Sequence, residues 1–132
     1  MHHQTLAIFI FMAFSTVTSA QCIQDQYGEV VCGKGACLTD SNLKVVCSPY
    51  KNGECEKDSY GKVICGPGQC LRNRDGSVVC STYPEGGCAK DQYGEVVCGA
   101  GECVKDRNGM VVCGGEGESC ELNSYGEVKC GK

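Results

Sequence analysis

The chain has 132 residues, a formal net charge of -4, 14 Cys and 19 Gly. So much Cys in so short a chain marks a disulfide scaffold rather than an ordinary packed domain. Lys and Arg alternate with Asp and Glu and never cluster, which argues against nucleic-acid binding and against a cationic membrane-active helix.

Residues 1–20 differ from the rest. They hold no Asp, Glu, Lys or Arg, and Leu6 to Phe14 is an apolar run too short to span a bilayer. Thr18 and Ala20 stand at the spacing of a signal-peptidase site, so residues 1–20 are expected to be a signal peptide cleaved after Ala20. Removal takes away His2, His3, Phe9, Phe11 and Phe14, and what remains has six Tyr but no His, Phe or Trp. A small chain with no Phe or Trp and with Gly throughout must rely on disulfides, which form in an oxidising compartment. The expected location is therefore secreted and extracellular, with no membrane insertion. No later apolar stretch spans a membrane, and no apolar tail signals a lipid anchor.

From Gln21 onward the sequence repeats. Cys occurs at 22, 32, 37, 47, then 55, 65, 70, 80, then 88, 98, 103, 113, then 120 and 130. The spacing C-x9-C-x4-C-x9-C has a period of about 33 residues. It divides the chain into repeat 1 (21–54), repeat 2 (55–87), repeat 3 (88–119) and a C-terminal half-repeat (120–132). The smaller unit, C-x9-C, occurs seven times. Three residues after its first Cys stands Asp25, Asp40, Asp58, Asn73, Asp91, Asp106 or Asn123. Six residues after it stands Gly, except for Leu43 in the second unit, and eight residues after it stands Val throughout.

Each unit reads as a β-hairpin. With Cys22 opposite Cys32, Ile23 faces Val31 and Gln24 faces Val30, leaving Gln26, Tyr27 and Gly28 as a three-residue loop. Such loops combine a type I turn with a left-handed residue, which Gly28 supplies, while Asp25 favours the first turn position. Leu43 would strain this turn unless Asn42 takes the left-handed place. The expected fold is a small disulfide-rich all-β protein: a tandem array of seven short hairpins, elongated in shape.

Facing Cys residues within a hairpin have a feasible Cα separation, and the last unit has no other partner to offer. The expected bridges are Cys22–Cys32, Cys37–Cys47, Cys55–Cys65, Cys70–Cys80, Cys88–Cys98, Cys103–Cys113 and Cys120–Cys130. The rival scheme joins neighbours across linkers, such as Cys32 to Cys37. Alternation gives each hairpin a Cys–Val face and a second face of apolar pairs such as Ile23/Val31, Ala89/Val97 and Val104/Val112. The second face is expected to carry the stacking between units. The last unit has Glu121/Lys129 there, as a terminal cap requires, whereas Glu56/Ile64 in the third unit is an exception.

The stretch Cys65-GPGQ-Cys70-LRNRDGSVV-Cys80 resembles the EGF-like half of follistatin-type modules. The unit D-x-Y-G-x-V-V-C is also similar to tandem arrays in secreted arthropod proteins. The follistatin-type modules carry additional Cys, so their pairing does not transfer. Both resemblances imply extracellular protein–protein contacts and no enzymatic activity.

Zinc wants close pairs such as C-x2-C, calcium wants six to eight oxygens, and neither pattern is present; no metal or cofactor is expected. Without His and with every Cys expected in a bridge, no nucleophile–base pair can be assembled, so the protein is not expected to be an enzyme. The possible contact residues are Tyr27, Tyr60, Tyr93 and Tyr125, which recur before the turn Gly in odd-numbered units; the plainer reading is a Tyr covering its own turn. The leading functional expectation is an extracellular binding or structural protein with a protein partner. The alternatives are a serine-protease inhibitor presenting Lys34 on the loop between Cys32 and Cys37, and a secreted toxin or receptor ligand.

Overall fold

The computed structural model describes residues 21–132; the expected signal peptide lies outside the described residues. Strands form where a Val-Val-Cys or Val-Ile-Cys run, or Val-Lys-Cys in the last unit, meets an apolar or long side chain across a turn. β1 (Cys22–Gln24) pairs with β2 (Val30–Cys32), and β3 (Cys37–Thr39) with β4 (Val45–Cys47). β5 (Cys55–Lys57) pairs with β6 (Val63–Cys65), and β7 (Cys70–Arg72) with β8 (Val78–Cys80). β9 (Cys88–Lys90) pairs with β10 (Val96–Cys98), β11 (Cys103–Lys105) with β12 (Val111–Cys113), and β13 (Ser119–Leu122) with β14 (Val128–Gly131). The protein is a small disulfide-rich, all-β array of seven tandem antiparallel hairpins, numbered 1 to 7 below.

In every hairpin the two Cys are cross-strand partners. Their Cα atoms lie 4.0–4.1 Å apart, and each pair forms a disulfide. No free Cys remains among the described residues, and no bridge joins two hairpins.

The turns are the expected type I turn with a left-handed fourth residue. In hairpin 1 the Gly28 N–H donates to Asp25 O at 3.1 Å, and Asp25 N–H donates to Glu29 O at 2.8 Å. Gly28 has φ +81°, which Gly adopts without steric cost. Hairpin 2 forms the same turn, and Leu43 itself takes the left-handed position at φ 65°. Asn42 does not take it. The Asp40 side chain explains why: its Oδ1 accepts from Asn42 N at 2.8 Å and Lys44 N at 2.9 Å, fixing the turn whatever residue occupies position 43.

Consecutive hairpins stack, joined by two backbone ladders. At the tips, the residue after the turn Asp or Asn donates to the turn Gly carbonyl of the next hairpin. The rungs are Ser41 to Gly61, Ser59 to Gly76, Arg74 to Gly94, Gln92 to Gly109 and Arg107 to Gly126, all 2.8–3.0 Å. At the base, Ala36, Glu54, Gln69, Gly87 and Glu102 donate to Gly53, Gly68, Gly86, Gly101 and Glu118. There the first Cys of each following hairpin also brings its sulfur to 3.1–3.3 Å from a carbonyl oxygen of the hairpin before it. A disulfide sulfur carries no hydrogen, so these are close packing contacts rather than hydrogen bonds.

One tip rung is missing: no bond joins Gln26 N to Leu43 O. The other turn Gly residues show the cause. A methyl group at Gly61 would lie 2.6 Å from Ser41 Cβ, and one at Gly109 would lie 2.5 Å from Gln92 Cβ. These glycines therefore serve the approach of the preceding hairpin as well as the turn itself. Leu43 carries the side chain that such an approach forbids. The tips of hairpins 1 and 2 stand apart, leaving a groove of about 480 Å³ lined by residues that include Tyr27, Val31, Leu43 and Val45.

Burial corrects the expectation that the second face alone carries the stacking. The deepest apolar positions, Cys37, Val63, Cys70, Cys88 and Cys120, lie on the Cys–Val face. On the second face, Val97 and Val112 are each 38% exposed, so they sit at the edge of a junction. The two ends are also unequal. Val30, on the Cys–Val face of hairpin 1, is exposed, as are Glu121 and Lys129 on the second face of hairpin 7. Both facts fit a polar stack in which the second face of one hairpin meets the Cys–Val face of the next. The exception at Glu56 also resolves. Its carboxylate accepts from Lys57 N at 3.0 Å and lies 3.7 Å from Arg72 of hairpin 4, so the next hairpin supplies the countercharge.

The longer linkers hold the two most buried polar side chains, Ser48 and Ser81. Ser48 Oγ donates to Gly66 O at 3.1 Å, and Ser81 Oγ donates to Gly99 O at 2.7 Å. Each hydroxyl also accepts from the Tyr N–H two residues on, at 3.3 Å. A buried hydroxyl needs such partners to offset its lost hydration.

Candidate binding surface

The turn residues make one continuous edge of the stack. Tyr27, Tyr60, Tyr93 and Tyr125 stand there on hairpins 1, 3, 5 and 7, with exposures of 81%, 88%, 62% and 72%. The residues at the same position on hairpins 2, 4 and 6 are Asn42, Asp75 and Asn108, all exposed.

The backbone beneath each Tyr is held on both sides. Asp58 Oδ1 accepts from Tyr60 N at 2.9 Å and Lys62 N at 2.9 Å. Asp91 does the same for Tyr93 and Glu95, and Asn123 for Tyr125 and Glu127. The tip ladder then ties the turns of hairpins 2 to 7 to one another. Tyr60, Tyr93 and Tyr125 therefore belong to one hydrogen-bonded run, whereas Tyr27 lies beyond the missing rung. A Tyr fixed in this way loses little backbone freedom on binding, which is the physical meaning of preorganisation.

Hairpin 4 departs from this pattern. Asn73 Oδ1 accepts from Val96 N of hairpin 5 at 2.7 Å, and Asp75 caps the turn instead. Asp75 Oδ1 accepts from Ser77 Oγ at 2.6 Å and Ser77 N at 2.9 Å. Those bonds, the side-chain one foremost, hold the Asp75 carboxyl below the usual carboxylate range.

The opposite edge, formed by the linkers, has a groove of about 620 Å³ whose lining includes Glu54, Glu85, Glu102, Glu116 and Glu118. Two of these carboxylates are engaged within the fold: Glu54 accepts from Cys70 N, and Glu118 from Gly115 N. Among the described residues, no group of three or more His, Cys, Asp and Glu is arranged to hold a metal ion. Lys34 is exposed, but the loop around it is sewn down: Gly33 N bonds to Gln21 O, Gly35 N to Ser48 O, and Ala36 N to Gly53 O.

Two functional features escaped the sequence reading. Ser48 and Ser81 follow Cys in linkers that look like open loops, and nothing in their composition signals burial. The second role of the turn Gly, admitting the neighbouring hairpin, was signalled only by its recurrence.

The fold and its edges define a disulfide-stapled stack of hairpins with an aromatic tip row. Comparison of the chain with protein-family models, with curated proteins and with solved structures gives no match.

Proposed function

We propose that the protein is a secreted, non-enzymatic binding protein whose hairpin stack acts as a rigid scaffold for the tyrosine row. The observation that carries this reading is the set of four Tyr side chains, 62–88% exposed, each on a turn pinned by its own Asp or Asn. Large aromatic side chains left in water on rigid backbone are the usual anchors of binding surfaces. An extracellular setting suits seven disulfides, and no helix among the described residues is long and apolar enough to cross a membrane. The resemblance to extracellular follistatin-type half-modules and arthropod arrays supports the same setting.

The protease-inhibitor alternative has less support, because the N–H groups flanking Lys34 are spent on backbone bonds within the fold. An inhibitory loop must offer its backbone to the protease. The test is capture from the protein's native extracellular fluid by tagged protein, run beside a Tyr60→Ala/Tyr93→Ala variant and a protease panel. Tyrosine-dependent capture with no inhibition is the expected result. Capture that ignores both substitutions sinks the reading.

A further inference from the structure

The contact residues repeat along a line, and that periodicity constrains the partner. Hydrogen-bonded backbones lie ~4.8 Å apart, so alternate tips are separated by ~10 Å. Tyr60, Tyr93 and Tyr125 occupy alternate tips of the unbroken ladder, with Asp75 and Asn108 between them. The irregular surface of an ordinary globular domain offers no such regular translation, which among proteins belongs to stacked repeats. A linear polymer of identical units does.

We propose that the tip row binds an extended, uncharged β-1,4-linked glycan, lying along the stack with its sugar rings against the tyrosines. This rests on the binding reading above and names the partner of that same surface. The chemistry fits on three counts. A phenol ring lies flat against the C–H face of a pyranose, which is apolar, while the sugar's equatorial hydroxyls need polar groups beside the ring. Asn and Asp between successive Tyr place amide and carboxylate groups at those points. A β-1,4 chain is also straight and turns each sugar over relative to the last, so equivalent faces recur at every second residue, matching Tyr on every second hairpin. An α-linked glucan curls away from such a line.

Charge gives the third count. The chain carries -4 overall, yet the two exposed turn positions along hairpins 2 to 7 hold only Arg74, Asp75 and Arg107 as charged residues. Arg74 and Asp75 are adjacent and opposite in sign, and Arg107 is turned back on its neighbour, donating to Tyr125 O at 3.2 Å. Across the whole tip the signs stay mixed, with Asp40, Asp58, Asp91 and Asp106 before the loops and Lys44, Lys62, Glu95 and Glu127 after them, so no cationic cluster is present and an uncharged polymer fits better than a sulfated or phosphorylated one.

The test uses the full chain expressed through a secretory host. It is mixed with powdered chitin, powdered cellulose and insoluble α-glucan granules, then titrated with soluble chitohexaose. Retention on chitin or cellulose but not on the α-glucan is expected. Tyr60→Ala, Tyr93→Ala and Tyr125→Ala should each weaken binding about tenfold, the usual order for losing one stacked aromatic platform. Tyr93→Phe should keep most of the affinity, because the ring is retained. Tyr27→Ala should change it less than the other three, since Tyr27 lies beyond the missing rung. Thermal melting of each variant shows whether the fold is intact. No retention on either β-linked powder, equal retention on all three, or retention indifferent to Tyr60 and Tyr93 overturns the glycan. In each of those cases, capture from native fluid separately decides whether the tyrosine row binds anything else.

Discussion

Replacing Leu43 with Gly should close the one open junction in the stack. Leu43 has φ 65°, and a non-Gly residue held there costs about 1–2 kcal/mol. Closing the tips would add a rung from Gln26 N to the carbonyl at position 43, like the five already present, for about 1 kcal/mol. Two terms oppose these. Gly loses more backbone entropy on folding, about 0.5–1 kcal/mol. The Leu43 side chain is 55% exposed, so deleting it forfeits about 0.5–1 kcal/mol of apolar burial. The balance runs from about 0 to about 2 kcal/mol in favour of Gly; its centre, about 1 kcal/mol, is equivalent to about 3–6 °C in Tm for a chain of this size. Because that balance is a small difference, the sharper reading is local. Amide exchange at Gln26 should slow in Leu43→Gly, and the Tyr27 resonances should shift as its turn docks. The reverse change, Gly109→Leu, should break the 2.8 Å Gln92–Gly109 rung and destabilise by about 1–2.5 kcal/mol once the smaller backbone entropy loss of Leu is counted. If the Gln26 amide exchanges no more slowly in Leu43→Gly, or Gln92 stays protected in Gly109→Leu, steric exclusion at the turn is not what opens the first junction.

Ser48→Ala and Ser81→Ala should each cost about 1–3 kcal/mol by denaturant unfolding, because each leaves a buried carbonyl and N–H without their hydroxyl partner; a loss below experimental error would mean water replaces the hydroxyl. Removing one bridge with Cys70→Ala/Cys80→Ala should cost about 2.7 kcal/mol, the loop-closure value for a ring of this size, and full reduction should abolish β-type circular dichroism and protease resistance. Val97→Lys should be tolerated better than Val63→Lys, since Val97 is 38% exposed and Val63 is 7% exposed; equal melting losses would contradict the edge placement. The lowered Asp75 pKa means its hydrogen bonds to Ser77 add stability above the ordinary carboxylate pKa and lose it as pH falls through the folded value. Ser77→Ala should raise the Asp75 pKa in an NMR titration, and an unchanged pKa would show the backbone bond alone sets it.

The register and bridges were legible because three independent signals agree within ten residues. Cys spacing, the Asp before the turn and the Gly in it all specify one hairpin, and the Val before the closing Cys suits its second strand. Junctions between hairpins were less legible, because they depend on pairs far apart in sequence. Glu56 looks misplaced until Arg72 is seen beside it, and Ser48 looks like loop filler until Gly66 O is found against it. Leu43 was visible as a departure, but its effect lies in the neighbouring hairpin, where Gln26 loses its acceptor. The tyrosines were picked out by recurrence alone; their exposure and their fixed backbones needed the structure.

Every bridge in this protein closes on the hairpin that contains it. Correct oxidation therefore needs no search across the chain: each thiol meets its partner as soon as its own turn forms, in the order in which the chain emerges. It also makes the array modular in a strict sense. A hairpin can be inserted, deleted or duplicated without stranding a cysteine elsewhere, so the length of the tip row can change by whole steps while the covalent plan stays intact. Conversely, a single backbone cut in a linker leaves two correctly bridged pieces held together by non-covalent contacts alone, and separating them requires no reductant.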